Sequence, residues 1–198
     1  EAYFADDTRG VTDLTKLSRY HQIMLVKNLT GLKNLYKIVS SAHLDNFYHT
    51  PVSLKSVIDE HREGILLGSA CEAGELYDAI LKGASHEELI RIASYYDFLE
   101  IQPLGNNEFM IRESGKVYTD KRSGQVKENP YEKVTNVEVI KNFNRKVVEL
   151  ADELGLPVVA TGDVHFLKKE DEIIRKILLA GQGYDDFDNQ APLYLKTT

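Results

Sequence analysis

The chain has 198 residues, 42% hydrophobic and 28% charged, which is ordinary for a soluble globular domain and enough to bury a full core. Its net charge of −7 has the wrong sign for a domain that grips nucleic acid through the phosphate backbone alone. One cysteine excludes an internal disulfide, no run of eighteen apolar residues offers a membrane span, and the opening EAYFADD lacks the layout of a signal peptide. A reducing cytoplasm with no membrane partner is the expected setting.

The chain opens inside an apparent strand. HQIMLV (His21 to Val26) reads as a further strand, followed by a helix from Leu29 to Leu44 with Leu32, Leu35, Ile38 and Val39 at helical spacing. Ser53 reads as the N-cap of a short helix through Glu60. GILLGS (Gly64 to Ser69) has the composition of a buried strand. Helices follow over Glu72 to Leu81 and Ser85 to Tyr95, the second opening on the capping box Ser85-x-x-Glu88. DFLEIQ (Asp97 to Gln102) is a strand, and Gly105 to Asn129 reads as an exposed loop or ribbon. A long amphipathic helix covers Asn136 to Leu154, closed by Gly155 and Pro157. LPVVAT (Leu156 to Thr161) is the last strand, and a helix over Lys169 to Ala180 ends at GQG. This alternation predicts an α/β fold with a parallel sheet or barrel. Both ends look cut from a longer polypeptide.

Active sites of parallel α/β folds gather at the carboxyl ends of strands, and two segments have that position. Thr161-Gly162-Asp163-Val164-His165 follows LPVVAT directly. If the extended backbone continues, Asp163 and His165 face one side, and a carboxylate beside an imidazole suits Zn²⁺, Mn²⁺ or Fe²⁺. The alternative is a capping aspartate and a surface histidine. Cys71 follows GILLGS and precedes a helix, where a thiol ionises more readily; a small buried apolar residue is the alternative. His21 opens its strand and is either a donor or a half-exposed edge residue. Glu100 and the other four histidines carry no assigned role. No phosphate loop, dinucleotide fingerprint or serine elbow is present.

Three long stretches change that reading: His21 to Leu44, Glu63 to Leu81 (EGILLGSACEAGELYDAIL), and Leu154 to Gly183. Together with DFLEIQP and APLYLKTT, they resemble the PHP (polymerase and histidinol phosphatase) domain of bacterial C-family replicative polymerases. The resemblance is nearer to the PolC type than to the DnaE type. It implies a distorted (β/α)7 barrel with a metal cluster at one mouth. Carried onto this sequence, it assigns Glu1 of EAY, His21, Cys71 of the SAC-x-x-GE motif, and the pair Asp163 and His165 as metal ligands. The implied cofactor is a divalent metal, Zn²⁺ or Mn²⁺, expected to be under-occupied in this fragment because part of the family's ligand set is missing. The implied partners are the remainder of the polymerase alpha subunit and, through it, DNA. The family's earlier H-x-H-T strand and D-H pair do not occur here, and only a short stretch separates Asp7 from His21, where PolC-type enzymes usually carry an exonuclease module. Residues 1–198 are therefore expected to be one PHP-domain fragment without its first strands and without that module. The function implied is a share in DNA-directed DNA polymerase, as platform or as metal-dependent phosphoesterase. A free-standing PHP phosphoesterase and a metal-free scaffold are the alternatives.

Overall fold

The computed structural model describes residues 2–11, 13–119, 125–184 and 187–197. Its strands and helices in chain order are β1 (Ala2–Ala5), β2 (Tyr20–Val26), α1 (Leu29–Leu44), β3 (Phe47–Tyr48), β4 (Thr50–Pro51), β5 (Ser53–Leu54), α2 (Lys55–Glu60), β6 (Ile65–Gly68), α3 (Glu75–Leu81) and α4 (His86–Ala93). They continue with β7 (Leu99–Ile101), α5 (Leu104–Asn107), α6 (Phe109–Glu113), β8 (Tyr118–Thr119), β9 (Val126–Lys127), α7 (Val137–Leu154), β10 (Val158–Ala160) and, after a 3-10 turn at Lys169–Asp171, α8 (Glu172–Gly181). The fold is mixed α/β. Contacts divide it into one unit of Glu1–Glu100 with Val147–Val159 and a second of Ile101–Lys146 with Ala160–Thr198.

In the first unit the sheet order is β5-β1-β2-β6. Only β1 and β5 are parallel; β1 with β2 and β2 with β6 are antiparallel. The parallel pairing expected from strand–helix alternation appears again after β6, where Gly68 bridges Phe98 in parallel. Helix α1 starts where Asn28 accepts the Gly31 N–H at 2.9 Å. Its buried positions, Ile38 and Ala42, are one turn apart and face inward.

Ser53 is not a cap. It is a buried strand residue opposite Phe4, and α2 has no capping side chain at Leu54. The cap comes from far upstream instead: Asp7 accepts the Ser56 N–H at 3.0 Å and the Ser56 hydroxyl at 2.5 Å. Ser85 does cap α4, accepting the Glu88 N–H at 3.2 Å. The Glu88 carboxylate, however, pairs with Arg9 and Arg91. Asp97 closes the unit by accepting the Leu67 N–H at 2.7 Å and Arg62 at 2.9 Å.

Glu75 is buried at the start of α3, and that burial pushes its carboxyl above the usual range, with Lys55 pulling the other way. A folded-state value above the unfolded one means that the protonated form stabilises the fold below the usual glutamate range. That stability is lost as pH rises through the raised value. Glu75→Gln is therefore expected to melt higher than the parent at about pH 7, with the gap closing below about pH 4. A gap that stays constant across a melting series between those pH values would contradict this.

In the second unit the stretch Gly105 to Asn129 departs from the expected loop. It begins with α5 and α6, and only then forms the β8–β9 ribbon; residues 120–124 lie outside the described residues. These helices are four and five residues long, too short for a 3.6-residue period to show, although Met110 is fully buried. Helix α7 begins in this unit, its residues from Val147 onward belonging to the first, and it is capped by Asn136, which accepts the Val139 N–H at 3.2 Å. Its buried positions Ile140, Val147, Leu150 and Ala151 trace one stripe, and Gly155 ends it at φ +67. Helix α8 buries none of its residues, and Ile173, Ile174, Ile177 and Leu178 are 57–66% exposed on one face. Among the described residues no helix is long and apolar enough to cross a membrane.

Candidate functional site

In the first unit, His21 and Cys71 come together. Pairing of β1 with β2 sets His21 opposite Tyr3, whose ring meets the imidazole edge-on at 5.4 Å between centroids. On the other side the His21 N–H donates to the Ala73 carbonyl at 2.9 Å, and His21 bridges Gly74. The turn after β6 is tight. Ala70 takes the left-handed φ of 58, the Gly74 N–H donates to the Cys71 carbonyl at 3.0 Å, and a Cβ on Gly74 would lie 2.1 Å from the Ser69 oxygen. This turn holds the Cys71 sulfur 3.5 Å from His21 Nδ1. Two ligands of one tetrahedral zinc, at bond lengths of about 2.3 and 2.0 Å, stand roughly 3.5 Å apart, so the pair fits two places on such an ion. Thiolate with imidazole is a donor set for Zn²⁺.

In the second unit, Asp163 and His165 also meet, though not by strand alternation. Strand β10 ends at Ala160 and Asp163 turns left-handed at φ 50. The extended backbone expected through His165 is therefore absent. Instead the loop curls so that His165 Nδ1 lies 2.8 Å from the Asp163 carbonyl and 3.7 Å from its carboxylate. A carbonyl only accepts, so Nδ1 carries the hydrogen, and in the neutral ring Nε2 then keeps its lone pair. An imidazole fixed in this way has the usual arrangement of a metal-ligating histidine. The His165 N–H is tied to the Leu193 carbonyl at 2.8 Å. His165 also lines a cavity of about 480 Å³ with Phe166, Ile174, Arg175 and Leu178.

Glu1 lies outside the described residues. Among the described residues, no three His, Cys, Asp or Glu side chains gather so as to hold one ion. Glu100 is buried, with its N–H donating to the Ser69 hydroxyl at 2.9 Å. The histidines left without a role have local neighbours: Val39 for His43, Tyr48 for His49, Glu60 for His61 and Glu153 for His86. Sequence reasoning missed Tyr3 beside His21, and Asn106, whose Nδ2 donates to the Gly162 carbonyl at 3.2 Å. Nothing in PLGNNEF marks that asparagine, and Tyr3 could be placed only once the β1–β2 register was known.

Comparison with curated proteins places these segments in context. The chain is 52% identical over 186 residues to the DNA polymerase III PolC-type of Clostridium perfringens, an alignment covering 94% of this chain and 12% of that protein. It is 44% identical to the DNA polymerase III PolC-type of Thermotoga maritima over 96% of this chain and 12% of the relative. For the Bacillus subtilis protein of the same name the figures are 38%, 90% and 11%. The chain thus spans about an eighth of the length of the curated relatives it matches. The PHP domain family matches residues 1–103, a little over half of the chain. That match takes in β1, β2 and the turn that presents Cys71 to His21, and on its strength the chain belongs to the PHP domain family.

Proposed function

We propose that this chain is a stretch of a PolC-type DNA polymerase III alpha subunit, a replicative DNA-directed DNA polymerase of the cytoplasm. The observation that carries this reading is identity of 52% sustained over 94% of the chain. The partners are then the rest of the alpha subunit and, through it, DNA. The fold is read as a PHP-type distorted (β/α)7 barrel. His21 with Cys71, Asp163 with His165, and Glu1 are the residues that would hold divalent metal, Zn²⁺ or Mn²⁺. Such an ion, when bound, polarises a phosphoryl oxygen and lowers the pKa of water for phosphoester hydrolysis, as at a DNA 3′ end. The chain's own residues fix the donors: the Gly74 turn presents the thiol, and the Asp163 carbonyl sets the His165 tautomer. A metal-free platform is the second reading, favoured because no three donors gather among the described residues.

The polymerase reading is tested by determining the codons that flank these 198 in the gene. A single reading frame about eight times longer, with a polymerase palm, is the expected result. A stop codon close downstream with no palm would overturn it in favour of a free-standing phosphoesterase.

A further inference from the structure

The loop that carries Asp163 and His165 has no strand pairing of its own between Gly162 and His165, and its left-handed turn at Asp163 is costly for a residue with a Cβ. Some contact has to hold it in one shape. Asn106, in α5, is only 6% exposed. Its Nδ2 donates to the Gly162 carbonyl at 3.2 Å and to the Gln102 side-chain oxygen at 3.3 Å. Both partners are oxygens, so the amide orientation is determined: a flipped Asn106 would set oxygen against oxygen. Asn106 Oδ1 is buried and has no hydrogen-bond partner among the described residues. A buried amide whose acceptor goes unsatisfied costs stability, which leaves the donor side as what the residue supplies. Gln102 is anchored in turn, because Asn144 Nδ2 donates to its backbone carbonyl at 2.9 Å. The chain of contacts therefore runs from α7 through Gln102 and Asn106 to Gly162, one residue before the turn.

We propose that Asn106 is a positioning residue for the Asp163–His165 pair: by clamping the Gly162 carbonyl it fixes the turn from which the Asp163 carbonyl holds His165 Nδ1–H. The Asp163 carboxylate and the free His165 Nε2 are thereby presented together. Its consequence for metal rests on the reading above; its consequence for the ring does not.

The test uses the 198-residue chain with Asn106→Asp, which keeps the shape and removes both donors, and Asn106→Ala in case the carboxylate prevents folding. Asn129→Ala serves as a control. Asn129 Nδ2 clamps three carbonyls, of Glu113, Ser114 and Lys116, within the same unit, so its loss lowers stability without touching the Gly162 loop. The first readout is the nitrogen-15 spectrum of His165 in metal-free protein at about pH 8, where an ordinary imidazole is neutral. The parent and Asn129→Ala should show hydrogen fixed on Nδ1, and the Asn106 variants an average over both nitrogens. The second is Mn²⁺ affinity, expected to fall about tenfold in the Asn106 variants, the scale typical of residues that orient ligands. Folded Asn106 variants with a fixed Nδ1–H tautomer would overturn the proposal. If the tautomer is lost while Mn²⁺ affinity is unchanged even in Asp163→Ala, the positioning role stands and the metal reading falls.

Discussion

Gly31→Ala is expected to destabilise the chain by about 3 kcal/mol, at the upper end for an overpacked site. A Cβ at Gly31 would lie 1.9 Å from the Gly64 carbonyl oxygen and 2.5 Å from its carbon. Neither side can yield cheaply. The Gly64 oxygen is held by the Lys27 N–H at 2.9 Å, and the Gly31 N–H is held by Asn28 Oδ1 at 2.9 Å. Gly64 itself sits at φ +76, and its own added Cβ would meet Asn28 Oδ1 and Gly31 N at 2.5 Å. Helix α1 therefore docks its first turn against the entry to β6 backbone to backbone. For a chain of this size the loss corresponds to a fall in Tm of roughly 6–12 °C. Gly181→Ala, in α8 with no atom of the described residues within 4 Å of the added Cβ, is the matched control and should be neutral or slightly stabilising. Thermal melts in which both variants shift equally would show that the close approach is not what makes Gly31 indispensable.

Asp163→Ala is expected to weaken Mn²⁺ or Zn²⁺ binding by about a hundredfold, at the top of the range for residues that only orient a ligand. Two effects combine. The carboxylate is lost as a donor, and alanine tolerates φ 50 less well than aspartate, so the carbonyl that sets the His165 tautomer also shifts. Asp163→Asn separates them, because asparagine keeps the left-handed turn and loses only the charge. His43→Ala should leave affinity unchanged, since His43 Nδ1 is engaged with the Val39 carbonyl in its own helix. Competition against a chromogenic chelator reads all three. Affinities within twofold of the parent for both Asp163 variants would remove Asp163 from the ligand set and strengthen the metal-free reading.

How far the sequence could be read depended on the range over which each signal acts. Helix α1 runs from Leu29 to Leu44 as its spacing predicts, because sixteen residues give the 3.6-residue period room to show. Ser53 looked like a cap by local chemistry, yet its environment is set by Phe4, which lies opposite it in the sheet. Asp7, the residue that does bond the first turn of α2, is 49 positions away and invisible to any local pattern. The same holds at the candidate site. His21 and Cys71 each stand out from their place beside an apolar strand, but their 3.5 Å approach joins positions 50 apart in the chain. Asp163 and His165 were paired for a reason that the backbone does not follow: alternation along a strand predicted one shared face, and a left-handed turn produced the proximity instead.

The bare apolar face of α8 has a colloidal consequence. Molecules that expose four aliphatic side chains on one helix stay apart in solution partly by mutual repulsion, here from a net charge of −7 at neutral pH. That repulsion vanishes near the isoelectric point of about 5.4 and is screened within about 10 Å at 0.1 M salt. Mildly acidic, salty buffer is thus where self-association through the stripe of Ile173, Ile174, Ile177 and Leu178 is expected to be strongest.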